Sequence, residues 1–493
     1  MAQAPLPLPV SLDPASPTPL HAQLRESLRA AILDRRLPRG ARLPASRLMA
    51  ADLGCARGTV VLALEQLIAE GYLTARPGSA TRVAVTLPDD TLPRSRPAAP
   101  SAATAAPSLS RRGARLAAVP GRRYMAGPGV PDAFALGRPA LDAFPYAVWA
   151  RLLQAEWRHG PAERSDPRGS PALRRAVAAY LAQGRGVACE ADDVIVTAGI
   201  RQSLRLLAEL LLDPGETALV EEPGFPGIAQ ALASAGLRPV PVPVGPGGLS
   251  ASRAASLAPG ARLAVVTPAH HYPLGHAMSL ENRLDLLAWA EAASGWIVED
   301  DYDGAYRYAG RPFAPLRALD RGGRVIYVGS FSKLLLPALG LSYLVLPRGL
   351  VAPVNQALAE TGPAPSGIGQ WALARFIEDG HLAGHLRRTR RLYGLRQEAL
   401  VEAARHHAAD VIAVAPMEGG MHLIARPRAA WPRALGDAEA AAELGRAGIS
   451  AVALSAYHVG KPEPGLLLGY AAVPERAIEP AVRRMGEILR SAR

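Results

Sequence analysis

Lysine is nearly missing from this chain. Of its 55 basic residues only Lys333 and Lys461 are lysine, so arginine serves wherever a plain positive charge is wanted, and a lysine set in a motif points to amine chemistry that a guanidinium cannot perform. Cysteine is as scarce. Cys55 and Cys189 cannot build a disulfide framework and lack metal-ligand spacing, which points to a reducing, cytoplasmic setting and no metal site. No uninterrupted apolar stretch is long enough to span a bilayer, and Met1 to Val10 has no basic segment ahead of an apolar run. A soluble protein with no membrane partner is therefore expected. Hydrophobic residues make up 49% of the chain, which excludes global disorder.

Charge divides the 493 residues unevenly. The net charge is +12, yet residues 1–86 carry ten arginines against six acids and residues 87–123 seven against two. A basic amino-terminal quarter on a nearly neutral body suggests a polyanionic partner for that end. Leu20, Leu24, Leu28 and Ile32 recur every fourth residue, predicting a helix. Leu43-Pro44-Ala45-Ser46-Arg47 opens a short second one that Gly54 ends. A third runs from about Arg57 to Glu70 and stops at Gly71. Tyr72 to Thr74 and Thr81 to Val85, joined through Pro77-Gly78, read as a two-stranded wing.

Helix, helix, turn, helix and hairpin is the layout of a winged helix-turn-helix (α+β). P-L-H-A-Q-L-R from Pro19, G-A-R-L-P-A-S-R-L-M-A-A-D-L-G from Gly40, R-G-T-V from Arg57 and L-I-A-E-G-Y-L-T-A-R-P-G-S-A-T from Leu67 resemble the DNA-binding domain of the GntR family. The resemblance implies double-stranded DNA as partner, with Arg47, Arg57 and Thr59 as contacts and Gly78 with Ser79 at the wing tip. Ala56 departs from it, because a serine or threonine usually stands there to cap the third helix. Leu87 to about Arg123 is rich in Pro, Ala, Ser and Arg without sustained periodicity, and reads as a linker.

From residue 124 onward apolar runs of strand length alternate with helical stretches: Val194 to Thr197, Ala218 to Val220, Arg238 to Val244, Leu263 to Val266, Trp296 to Val298 and Val325 to Val328. That is the pattern of a large, mostly parallel α/β sheet. Helices dominate later, and a small α+β lobe is expected from about residue 355. Chemistry-bearing segments follow the strands. Glu299-Asp300-Asp301-Tyr302-Asp303 offers carboxylates at a strand end, and Thr197-Ala198-Gly199-Ile200-Arg201 offers helix N-terminal N–H groups for a phosphate. Glu222-Pro223-Gly224-Phe225 offers an aromatic ring. Thr267 to Gly275 holds His270, His271 and Tyr272, histidines as readily structural as catalytic. Gly329-Ser330-Phe331-Ser332-Lys333 sets the lysine at a strand end.

In this order the segments resemble fold-type I aminotransferases, with Asp300 standing 33 residues before Lys333 as in that family. With the GntR-like head the whole chain resembles the MocR-type regulators. The resemblance implies an α/β pyridoxal-phosphate-dependent transferase fold and pyridoxal 5'-phosphate as cofactor, carried by Lys333. Asp300 would pair with the ring nitrogen, Tyr302 with the ring hydroxyl, and Phe225 would stack on the ring. Ser330, Gly199 and Ile200 would hold the phosphate, and Tyr272 would join the pocket. It further implies a homodimer whose effector is a small amino compound or the cofactor itself. Working aminotransfer with a DNA-binding appendage, and a pocket that has lost the cofactor, are the alternatives. Three positions depart from the pattern. Gly340 stands where an arginine normally pairs with the phosphate, Arg164 where a partner's tyrosine is expected, and Arg201 replaces a glutamine. Arg201, or Arg164 from the other subunit, is the expected source of the missing charge.

Overall fold

The four-residue spacing of Leu24, Leu28 and Ile32 gives a helix over Leu20–Leu33 (α1) in the computed structural model, with those three side chains buried. The structure describes residues 10, 12–75, 80–88, 109–118, 133–159, 166–308, 314–361 and 365–492. Two further helices follow, Ser46–Asp52 (α2) and Arg57–Ala69 (α3), so Pro44 lies ahead of α2 rather than in its first turn. Gly54 and Gly71 take φ of 61° and 82° just past the two helices, a left-handed conformation that only glycine adopts without strain. Ala56 is the residue before α3, which starts with no side-chain cap. The wing strands are short, Leu73–Thr74 (β1) antiparallel to Arg82–Val83 (β2). The expected wing tip, Gly78 and Ser79, lies outside the described residues. Met49, Val60, Leu64 and Leu67 close one core with Leu43, Tyr72 and Leu87. Leu87, expected to open the linker, therefore packs with the head.

The chain divides into two compact units, Met1–Ser108 and Leu109–Arg493. Within the stretch expected as linker, Arg111–Ala118 is helical and Arg112 lies 3.7 Å from Glu209 of the body.

The body is built on seven strands, Val194–Thr197 (β3), Thr217–Glu222 (β4), Arg238–Pro243 (β5), Leu263–Val266 (β6), Trp296–Asp301 (β7), Val325–Ser330 (β8) and Ser342–Val345 (β9). Their order is β3-β9-β8-β7-β6-β4-β5. All six expected runs are strands, and β9 is the one the sequence reading missed. It is antiparallel to both neighbours, so β3 runs the same way as β8. Pro239, Pro241 and Pro243 sit in β5, an edge strand that pairs only with β4, where missing N–H groups cost least. Most strand residues are buried because helices cover both faces.

The common direction of β3, β4, β6, β7 and β8 brings five carboxyl ends to one edge of the sheet, where α/β proteins bind ligands. Helices His381–His407 and Glu475–Ser491 and the antiparallel strands Ile412–Val414 (β10), His422–Pro427 (β11), Val452–Ala453 (β12) and Leu466–Gly469 (β13) form the later part. The expected lobe boundary near residue 355 falls inside the helix Arg348–Thr361, whose Val354 and Leu358 pack with the large sheet. Among the described residues no helix is long and apolar enough to cross a membrane.

Candidate functional site

Lys333 lies in a four-residue helix, Phe331–Leu334, that β8 feeds directly; the Ser330 hydroxyl caps it by accepting from the Ser332 N–H at 3.2 Å. The lysine Nζ donates to the Gly137 carbonyl at 2.8 Å. Burial lowers its pKa, while Asp303 and Asp300 act the other way. The neutral amine, the nucleophilic form, is thereby favoured over a surface lysine's ammonium. Gly137 has φ of 66°, and a Cβ there would stand 2.4 Å from Nζ.

Asp300 is the next-to-last residue of β7 and is 7% exposed. Burial, with the charges of Asp301, Asp303 and Glu221 added, pushes its pKa up to about 8; Lys333 pulls it down. Its carboxyl makes no hydrogen bond to any described residue. A buried carboxylate of this kind calls for a cation or donor supplied by a ligand. Tyr302 lies 2.9 Å, hydroxyl to Nδ1, from His270. Tyr272 stands edge-on to Phe225 and to Tyr302, with ring centres 5.8 and 5.7 Å away.

Arg201 follows Gly199 and Ile200 at the start of the twelve-residue helix Ile200–Leu211 and forms no ion pair among the described residues. Gly227 makes room for it: a Cβ there would lie 3.2 Å from Arg201 Nε and 2.4 Å from the Phe225 ring. A guanidinium beside a helix N-terminus can hold an anion. All nine residues expected at the cofactor, Lys333, Asp300, Tyr302, Phe225, Ser330, Gly199, Ile200, Arg201 and Tyr272, line one cavity of about 380 Å³.

Two family models match the chain: bacterial regulatory proteins of the gntR family over residues 20–83, and aminotransferase class I and II over 139–485. A probable rhizopine catabolism regulatory protein, MocR, from Rhizobium meliloti is 40% identical over 96% of this chain and 94% of its own. The chain belongs to the MocR-type regulators. The pyridoxine biosynthesis transcriptional regulator PdxR of Corynebacterium glutamicum is 32% identical, with 85% of each chain covered. Among solved structures, a multiple substrate aminotransferase of Thermococcus profundus matches with a TM-score of 0.67 at 23% identity over 77% of this chain and 97% of that one, a likeness of fold. A MocR-type chain is thus a GntR winged helix joined to a fold-type I aminotransferase body, a fold family that depends on pyridoxal phosphate.

Several wall residues of this MocR-type cavity were not anticipated. Leu136, Gly137 and Arg138 come from a segment nearly two hundred residues before the lysine, and Met421 and His422 from β11 and the turn ahead of it. Gly137-Arg138-Pro139 was the only signal available for the first group. His422 donates from Nε2 to the Pro273 carbonyl at 2.9 Å, and burial lowers its pKa to about 4, so it is neutral. Ser342, 1% exposed, has a hydroxyl with no partner among the described residues. His271 is buried beside Glu221 and pulled down to about 3 by burial, a neutral structural histidine. Gly340, at φ 57°, is not a wall residue, and a Cβ there would meet nothing within 4 Å. Arg164 lies outside the described residues. In the head, Arg47 and Arg57 are exposed and Thr59 half-buried. Arg57 Nε donates to Ser46 Oγ at 3.4 Å, which brings the starts of α2 and α3 together.

Proposed function

We propose that this MocR-type regulator binds pyridoxal 5'-phosphate around Lys333 and senses a small amino compound, or the cofactor itself, there. In this reading it is a cytoplasmic homodimer that presents two heads to double-stranded DNA. One observation carries the reading: nine residues from five strand ends surround a cavity shared by a buried amine and a buried carboxyl that no described residue bonds. The Corynebacterium relative, a regulator of pyridoxine biosynthesis by name, supports a vitamin B6 compound as ligand.

When bound, the cofactor supplies an aldehyde that exchanges amines and a ring that withdraws electrons. Lys333 contributes the amine, oriented by the Gly137 carbonyl. Asp300 pairs with the ring nitrogen, whose positive charge relieves the burial penalty on the carboxylate. The Tyr302 hydroxyl would bond the ring hydroxyl, Phe225 would stack on the ring, and Tyr272 would join them in the pocket. Gly199, Ile200 and Ser330 hold the phosphate with Arg201, which supplies the charge absent at Gly340. In the head, Arg47, Arg57 and Thr59 contact DNA. An effector moves the body between conformations only by binding one of them more tightly. Sensing is favoured over turnover by β13, where Leu466, Leu467 and Leu468 are fully buried and offer no arginine for a substrate carboxylate. Steady amino-group transfer to a 2-oxo acid would reverse that ranking.

The test is a visible spectrum of the purified protein with and without added pyridoxal phosphate. A long-wavelength band is expected in the wild type and is expected to vanish in Lys333→Ala. A wild type without the band, or a variant that keeps it, would sink the reading. Arg201→Ala is expected to cost about 1.5–3 kcal/mol of phosphate binding, roughly ten- to hundredfold in Kd. An affinity that does not change removes Arg201 from the phosphate site.

A further inference from the structure

His270 stands between two cavities. Its Nδ1 is 2.9 Å from the Tyr302 hydroxyl, which lines the cavity around Lys333, and 3.1 Å from Asp303 Oδ2. On its other side His270 borders a second cavity, of about 280 Å³, together with Asp303, Arg307 and Glu418. Neither His270 nor Asp303 lines the first cavity, and Tyr302 does not line the second.

The inner wall of the second cavity is left unsatisfied. His270 is 8% and Asp303 2% exposed, and His270 Nε2 and Asp303 Oδ1 have no hydrogen-bond partner among the described residues. Buried polar atoms of this kind need a ligand or ordered water. The Nε2 edge of the ring faces Gly275 and Gly420, both of which line this cavity. A Cβ at either would come within 3.3 or 2.7 Å of Nε2. Nδ1 can accept from the Tyr302 hydroxyl or donate to Asp303 Oδ2, and in the tautomer that donates, Nε2 presents a lone pair. Both unsatisfied atoms are then acceptors, and one is a carboxyl oxygen. They suit a cation that carries N–H. The rim offers the opposite charge: Arg307 pairs with Glu418, whose side chain is 65% exposed against 16% for the arginine. Water screens such a pair strongly, so a ligand carboxylate can take the place of Glu418.

We infer that the second cavity is a binding site for a small zwitterionic amine, with its ammonium on Asp303 and His270 and its carboxylate on Arg307. Occupancy is read at Tyr302. An ammonium on Nε2 fixes Nδ1 as a donor, so the Tyr302 hydroxyl can no longer donate to it. The binding step stands apart from the cofactor reading, whereas this coupling rests on it.

N,N-dimethylglycine is the probe. It keeps one N–H and a carboxylate, but as a tertiary amine it cannot condense with an aldehyde. Calorimetric titration into the full-length Lys333→Ala protein, free of pyridoxal phosphate, is expected to show saturable one-to-one binding. Arg307→Gln, which removes the carboxylate's partner, is expected to weaken it about tenfold or more. Ala277→Leu, which fills the cavity, should do the same, and Ala277→Ser should bind like its parent. Neither Arg307 nor Ala277 lines the cavity around Lys333, so binding there would be unaffected by both. No saturable binding, or binding that both substitutions leave unchanged, overturns the site. In the wild type loaded with pyridoxal phosphate the probe should shift the pH midpoint of the visible band, and an unmoved midpoint overturns the coupling. Because the titration engages neither the lysine nor the cofactor, its failure leaves the cofactor reading standing, and the reverse holds too.

Discussion

Arg185→Met is expected to cost the body about 3–5 kcal/mol of stability, read as a lowered urea midpoint of its unfolding transition. Arg185 follows the helix Pro171–Gly184 and reaches the carboxyl end of β7. There its Nε and Nη2 lie 3.0 and 2.5 Å from Asp301 Oδ2, and its Nη1 donates to the Gly304 carbonyl at 2.9 Å. The two side chains are 6% and 3% exposed. Little water screens such a pair, and removing the cation strands a carboxylate in the interior. The Tyr327 hydroxyl and the Gly304 N–H still donate to that carboxylate, but neither carries a compensating charge. The damage reaches the candidate site, since the Asp301 charge already raises the pKa of its neighbour Asp300. A loss below about 1 kcal/mol would mean that water enters the pair and that it behaves as a surface bridge.

How much of this was legible in the sequence depends on how far the information had to travel. Each segment that follows a strand carries its own chemistry in consecutive residues. For that reason the segments that hold Gly199 to Arg201, Phe225, Tyr272, Asp300, Tyr302, Ser330 and Lys333 could be singled out before any fold was known, and the resemblance to fold-type I aminotransferases picked the individual residues. Once five strands share a direction, their ends must meet. The opposite wall obeys no such rule. Gly137 reaches Lys333 because residues 133–144 pack against the later part of the chain. Phe134, for instance, accepts through its carbonyl from the Gly469 N–H at 2.8 Å, and the Tyr393 hydroxyl accepts from the Ala140 N–H at 2.9 Å. Neither partner is hinted at locally. The strand β9 escaped for a different reason. Its four residues follow Pro337 and Gly340 so closely that the run reads as the tail of a loop, and only pairing with β3 and β8 makes it extended. Helix α3 shows the reverse case, a local rule broken without changing the outcome. Its cap is missing at Ala56, yet buried Val60, Leu64 and Leu67 hold the helix by packing, which outweighs the ~1 kcal/mol a cap would add.

Asp300→Asn should change stability in opposite directions in the empty and the loaded body. Asparagine keeps the shape of the side chain and removes its charge. In the empty body burial, then the charges of Asp301, Asp303 and Glu221, hold the Asp300 carboxyl near a pKa of about 8, against roughly 3.9 in an unfolded chain. Between those values the folded body keeps a proton that the unfolded chain has released, so stability falls as pH rises through that window. Glu221 and Glu299, both raised to about 7 by burial, add to the same slope. The wild type without cofactor should therefore lose melting temperature between about pH 6 and about pH 8, and Asp300→Asn should lose less. With pyridoxal phosphate present the sign reverses. On the proposed reading the carboxylate that burdened the empty cavity partners the ring nitrogen, and its loss from a buried charge pair is expected to cost about 2 kcal/mol or more, roughly thirtyfold in Kd. A purely structural carboxyl would give the same sign with and without the cofactor. Stabilisation of the empty protein at the higher pH together with weakened binding is what separates a cofactor partner from a packing residue, and thermal melts at the two pH values with a pyridoxal phosphate titration measure both halves.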